Sequence, residues 1–149
     1  MRKGFPADWN HLVETATGAT RDTRELTSLR EFFRREPTVR LAFLFGSRAR
    51  GEADARDWDL AVSFTGGRVP RAERLGQTER LRSRILTVLD CPEDRLDLVE
   101  LHRAGLGILA TVAEEGILLK GGDTLDAFRF YQRAWRGLEE FHFRKAHGL

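Results

Sequence analysis

The chain holds a single cysteine, Cys91, among its 149 residues, so no internal disulfide closes it. That thiol also has no second cysteine with which to form a zinc site. Long apolar runs are missing too. The stretch 41–45 is far shorter than the ~20 residues that span a bilayer, so no membrane segment is expected. Met1-Arg2-Lys3 leads into Gly4-Phe5-Pro6-Ala7-Asp8 instead of an apolar segment. A secretory leader is therefore not expected, and a soluble cytoplasmic protein is. Lysine is scarce: 22 of the 25 basic residues are arginine. Arginine suits bidentate phosphate or carboxylate contacts, but coding composition explains such a bias equally well. The net charge is only +2, so the pI near 9.1 does not mark a nucleic-acid binder, and no basic groove or DNA-binding module is evident.

What is present suits one folded domain over 1–149, with 41% apolar residues for a core and 32% charged residues for a surface. Residues 1–20 mix Gly, Pro, Trp and Thr without a period and receive no assignment. From residue 22 the spacing of Leu26, Leu29, Phe32 and Phe33 predicts a helix, stopped by Pro37. Residues 39–45 form an apolar run broken only by Arg40 and followed at once by Gly46, which reads as a buried strand. Residues 51–56 read as a loop, 58–64 as a second strand and 70–89 as a helix carrying Leu75, Leu81, Ile85 and Leu89, with its arginines outward. A turn at 91–94 precedes a third strand at 95–101, a helix at 104–115 and a short strand at 117–119. An amphipathic helix at 123–145 completes the pattern. Mixed strands and helices in this order predict a small α/β (α+β) fold, a mixed sheet flanked by helices.

Chemistry concentrates after the first strand. A strand ending in Gly46-Ser47 and turning into a helix presents free N–H groups, a hydroxyl and the positive end of the helix to phosphate oxygens. Gly46 lets a ligand approach the backbone. By itself the Gly-Ser pair is common and decides nothing. In Asp57-Trp58-Asp59-Leu60 the two carboxylates lie two apart, on one face of a strand, with Trp58 and Leu60 on the other. Like charges so placed repel, and a divalent cation reverses that repulsion; oxygen ligands favour Mg²⁺. Asp97 sits mid-strand between Leu96 and Leu98, where an acid needs a partner or a metal. If its strand neighbours the second, three carboxylates converge opposite the Gly-Ser turn, a set suited to two-metal phosphoryl chemistry. Glu100 falls on the opposite face and is left out.

The run Phe45-Gly46-Ser47-Arg48-Ala49-Arg50-Gly51-Glu52-Ala53, with nine residues between Ser47 and Asp57 and then Asp57-Trp58-Asp59-Leu60, resembles the minimal nucleotidyltransferases of the DNA polymerase β superfamily. The resemblance covers about residues 22–120. It implies a polymerase-β palm-like nucleotidyltransferase fold, with Asp57 and Asp59 as Mg²⁺ ligands and Asp97 as the third carboxylate that activates the attacking hydroxyl. It further implies that Gly46 and Ser47 hold the triphosphate of ATP while Arg48 or Arg50 neutralises phosphate charge. Arg56 stands where the family usually has Ser, and the loop is one residue shorter than the common form.

Stand-alone members of this family commonly act as antitoxins that add AMP to a tyrosine of a HEPN-domain ribonuclease toxin, so such a toxin is the expected partner. The alternatives are a small-molecule (aminoglycoside-type) nucleotidyltransferase, which usually carries a larger C-terminal helical domain, and an antitoxin that acts by docking alone. His102 reads as a loop histidine without a partner, and His142 and His147 as cations suited to a helix C-terminus. In the last helix Leu125, Phe128, Trp135, Leu138 and Phe141 make the predicted core stripe. Phe130, Tyr131 and Phe143 are a surplus that suits a protein-binding face.

Overall fold

The computed structural model describes residues 23–148. The unassigned segment 1–20 lies outside them. Helix α1 spans Arg24–Arg34 and buries Leu26, Leu29 and Phe33. The Thr23 hydroxyl caps it by accepting from the Leu26 N–H at 3.2 Å, and the helix ends at Arg35, two residues before Pro37. Strand β1 is Val39–Phe45, followed by the single-turn helix α2, Gly46–Ala49. Then come β2 (Trp58–Phe64), α3 (Arg71–Leu89), β3 (Leu96–Glu100), α4 (Leu106–Glu115), β4 (Ile117–Lys120) and α5 (Leu125–Ala146).

The four strands form one mixed sheet in the order β3-β2-β1-β4. β1 runs antiparallel to β2 and β4, whereas β2 and β3 are parallel, with α3 supplying the crossover that a parallel pair requires. Both faces of the central strands are covered. One face packs Leu44, Leu60 and Val62 against Leu29 and Phe33 of α1 and Ile85 of α3. The other packs Phe43 and Ala61 against Val112 of α4 and Phe130 and Tyr131 of α5. Double coverage is why β1 and β2 read as apolar runs and not as alternating strands. Each large side chain so buried contributes about 1.5–3 kcal/mol. No helix among the described residues is long and apolar enough to cross a membrane.

Two helix faces differ from the expected ones. Leu75 is 62% exposed, while Arg74 beside it is buried. Its guanidinium donates to the Gly67 carbonyl and the Gln77 side chain, both at 2.7 Å, and lies over the Phe64 ring. A buried arginine is tolerated when its donors are engaged in this way. On α5, Ala127, Phe130, Tyr131 and Ala134 are buried, while Leu125 and Phe141 are exposed and Phe128 and Trp135 are half-buried. The contact is close because small residues line it: a Cβ at Gly137 would come within 2.5 Å of Leu106. Phe43, Phe130 and Tyr131 form an aromatic triangle with centroids 5.1–6.0 Å apart, and burial pushes the Tyr131 phenol up to about 12.

Glu36, between α1 and β1, is buried. Its carboxylate accepts from Thr38 at 2.7 Å and pairs with Arg84 of α3, while its carbonyl accepts from Lys120 of β4 at 2.7 Å. One residue thus joins α1, α3 and β4. Glu36→Ala leaves Thr38 and Arg84 without their acceptor and is expected to lower unfolding free energy by about 1–3 kcal/mol in chemical denaturation. Glu36→Gln, which keeps a side-chain acceptor but not the charge, is expected to fall between the two.

Candidate functional site

The register of the sheet builds the site. Phe45 of β1 pairs with Asp59 of β2, and Asp59 pairs with Asp97 of β3, so these residues form one row across three strands. In this row Asp59 and Asp97 project from one face, and Trp58, Leu60, Leu96 and Leu98 lie toward the other, whose cluster they join. The condition that the sequence left open, that the third strand neighbours the second, is met. Glu100 lies on the opposite face, with its carboxylate 3.4 Å from both Arg74 and Arg103.

Gly46 follows Phe45 at the end of the row. Its φ of +77° belongs to the left-handed region, and a Cβ there would come within 2.2 Å of the Asp59 carboxylate. The glycine therefore lets the chain turn and lets Asp59 lie against the backbone. Helix α2 has only one turn, so the expected contribution of a helix dipole is small, and the turn itself must supply the N–H donors.

The carboxylates are not equivalent. Asp59 is half-buried, and burial holds its carboxyl above the usual carboxylate range; the negative charges of Asp97 and Asp57 add to the shift, and Arg50 opposes it. Asp57 precedes β2, is 61% exposed, and sits 3.4 Å from Arg95. Among the described residues no group of three His, Cys, Asp or Glu side chains is arranged to hold a metal ion. Asp59 and Asp97 sit side by side in the row, and Asp57, just before β2, is close enough for its charge to raise the Asp59 carboxyl. This donor set suits a hard cation: it is all oxygen, Arg50 and Arg95 offset its charge only in part, and Mg²⁺ takes only one or two carboxylates when phosphate oxygens complete its shell.

The two arginines after Ser47 have other partners. Arg48 donates from Nε to the Asp57 carbonyl and from Nη2 to the Arg56 carbonyl, each at 3.1 Å, and its guanidinium lies 3.9 Å from the centre of the Trp58 ring. It ties the chain just before β2 to the turn after β1. Because Arg48 meets the carbonyl of residue 56 and not its side chain, Arg56 in place of Ser leaves this contact intact. Arg50 pairs with Glu115 at 2.8 Å and Glu52 at 3.3 Å while remaining close enough to Asp59 to lower its pKa. A cleft of about 360 Å³ lies behind the loop, lined by Leu26, Leu44, Arg50 and Trp58, and is not at the carboxylate row. His102 has a partner that the sequence did not reveal: its Nε2 lies 3.1 Å from the Ser63 hydroxyl, on β2.

A family described as polymerase beta, nucleotidyltransferase, matches residues 27–124. Among solved structures, one described as a toxin–antitoxin with AMP-PNP is 23% identical, covers 84% of this chain and 92% of its own, and superposes with a TM-score of 0.55. A tri-AMPylated Shewanella oneidensis HEPN toxin in complex with an MNT antitoxin gives 20% identity, 83% and 91% coverage and a TM-score of 0.53. The toxin–antitoxin MntA–HepT gives 20% identity, 83% and 89% coverage and a TM-score of 0.51. At these identities the likeness is one of fold. No curated protein matches the chain.

Two outcomes follow from the geometry. A carboxyl whose folded pKa is raised lends stability that is complete below its ordinary pKa and lost as pH rises through the raised value. Asp59→Asn removes that loss, and should raise the melting temperature at pH 7–8 above that of the wild type. The gain should vanish toward pH 3–4, and saturating Mg²⁺ should narrow it by stabilising the wild type alone. For Arg48, a role as loop clamp means that Arg48→Lys should lose as much activity as Arg48→Ala, about tenfold or more, because an ammonium cannot bond two carbonyls and cover Trp58 at once. Activity retained in Arg48→Lys but lost in Arg48→Ala would instead mark a phosphate-neutralising charge.

Proposed function

The chain belongs to the polymerase beta nucleotidyltransferase family, and from that premise we propose that it transfers AMP from ATP to a hydroxyl of a protein partner. The partner in this reading is a HEPN-type ribonuclease toxin and the acceptor one of its tyrosines, which makes the chain an antitoxin acting in the cytoplasm. The observation that carries the chemistry is the row of Asp59 and Asp97 beside the Gly46 turn. Fold neighbours described as a tri-AMPylated HEPN toxin complex and as a toxin–antitoxin with AMP-PNP support the acceptor and the nucleotide.

In this reading Gly46 and Ser47 receive the triphosphate, since the missing side chain leaves room at the backbone and the Ser47 hydroxyl donates to a phosphate oxygen. Asp57, Asp59 and Asp97 would hold Mg²⁺, two ions in the fullest case, which supplies the positive charge that the triphosphate and its pyrophosphate leaving group need. Asp97, at the outer end of the row, takes the proton from the acceptor hydroxyl. The acceptor oxygen then forms a bond to the α-phosphorus, the bond from that phosphorus to the bridging oxygen breaks, and pyrophosphate leaves. Arg50, close to Asp59, balances the charge of the row. Arg48 positions the chain that carries Asp57.

Incubation of the chain with α-labelled ATP, Mg²⁺ and the HEPN-domain partner is expected to label the partner. Asp59→Ala and Asp97→Ala should each lower the rate by at least about a hundredfold, the size typical of losing a general acid–base or metal-binding group. Labelling undiminished in both variants, or none by the wild type, overturns the reading.

A further inference from the structure

The sheet has two edges that differ. Strand β4 is buried from Ile117 to Leu119, whereas β3 is buried only at Leu96, with Asp97 exposed and Leu98, Val99 and Glu100 half-buried. β3 is the outermost strand on its side and pairs only with β2, so one side of its backbone has no strand partner among the described residues. A groove of about 360 Å³ runs along that side. Leu98, Val99 and Glu100 line it from the strand, Leu75 and Thr78 from α3, and Ile108 from α4. The walls carry two of the chain's exposed large apolar side chains, Leu75 at 62% and Ile108 at 37%. Exposed edges are ordinarily blunted by charge, proline or a covering element. Here Glu100 is paired with Arg74 and Arg103 at the end of the strand, and Asp97 is the other charged residue of β3.

Asp97 belongs to this same strand, one residue before the groove. A further strand laid along β3 would lie about 4.8 Å away and place one of its residues directly opposite Asp97. That residue would occupy the next position of the row formed by Phe45, Asp59 and Asp97, on the face where the carboxylates project.

We propose that the open edge of β3 is the acceptor-docking surface: an extended, hydroxyl-bearing segment of the protein substrate adds to the sheet as a fifth strand, with Leu75 and Ile108 gripping its apolar side chains. Main-chain hydrogen bonds to β3 supply affinity irrespective of sequence, and the register presents the hydroxyl to Asp97. This inference rests on the transferase reading above. It adds to that reading the element that selects which hydroxyl is modified.

The test uses the full-length chain and a purified HEPN-domain partner, with amide hydrogen exchange and label transfer measured on the same preparations. Exchange at 96–100 is expected to slow when the partner is added, for the amides that β2 does not engage. Leu75→Glu/Ile108→Glu changes only exposed positions. It should bind AMP-PNP like the wild type, yet transfer label at least tenfold more slowly at sub-saturating partner, with the loss in KM more than in kcat. Transfer at the wild-type rate by this variant, with no protection of 96–100, overturns the docking edge and leaves the transferase reading standing. Protection of 96–100 by partner without any label transfer by the wild type has the opposite meaning: the edge is a binding surface and the transferase reading fails. Protection that grows with concentration of the chain alone, and is unchanged by partner, assigns the edge to a second copy and also overturns the proposal.

Discussion

Everything in the candidate site depends on the hydrogen-bond register that sets Phe45, Asp59 and Asp97 side by side. Side chains in a strand alternate between faces, so a slip of one residue would turn both carboxylates into the face occupied by Leu60, Val62 and Ile85. The register is fixed by burial on both faces. Leu44, Leu60 and Leu96 lock one side, Phe43 and Ala61 the other. The cost of burying a charged carboxylate among leucines makes the alternative untenable. The core therefore determines the position of the acids, and the acids do not help to hold the core.

Their electrostatics run against stability. Asp59 carries a carboxyl held above the usual range by burial and by Asp97 and Asp57, and the folded chain bears that cost whenever the group is charged. Arg50 offsets part of it from one side, and Arg95 pairs with Asp57 from another. Like charges gathered in this way are enriched at functional sites. The stabilising ion pair lies elsewhere, at Glu36, where a buried carboxylate joins Arg84 to Thr38 and the same residue's backbone takes Lys120. The molecule thus separates the network that holds α1, α3 and β4 together from the charges that the chemistry needs.

Much of the fold was legible in the sequence because it follows from local pattern. Val39–Phe45 and Trp58–Phe64 are mainly apolar runs, interrupted by Arg40 in the first and by Asp59 and Ser63 in the second, and both strands have the predicted bounds. Helix ends moved by a residue or two, where caps such as Thr23 decide them. The last helix was misjudged by its phase: the inward face is Ala127, Phe130, Tyr131 and Ala134, so Phe130 and Tyr131, read as surplus for a protein-binding face, belong to the core, and Leu125 and Phe141 of the expected stripe turn outward. Leu75 failed in the same way, since a period shows which residues share a face but not whether that face is covered. In the site, the alternation in Asp57-Trp58-Asp59 was readable, and the Asp59–Asp97 neighbourhood only conditionally. The contacts of Arg48 and His102 were not readable at all. Arg48 bonds the carbonyls of residues eight and nine positions away, and His102 meets Ser63 across 39 positions; no spacing rule encodes contacts that exist only after the sheet has formed.

The asymmetry of the sheet carries the final step. β1 and β2 are walled in by helices on both faces, and their pairing brings the Asp59 carboxylate so near Gly46 that a Cβ there would lie 2.2 Å from it. β3 is the strand where enclosure stops, and it carries the outermost carboxylate of the row. The open edge and the exposed end of α5, with Phe141 and Phe143, share one feature: apolar side chains that no other described residue covers.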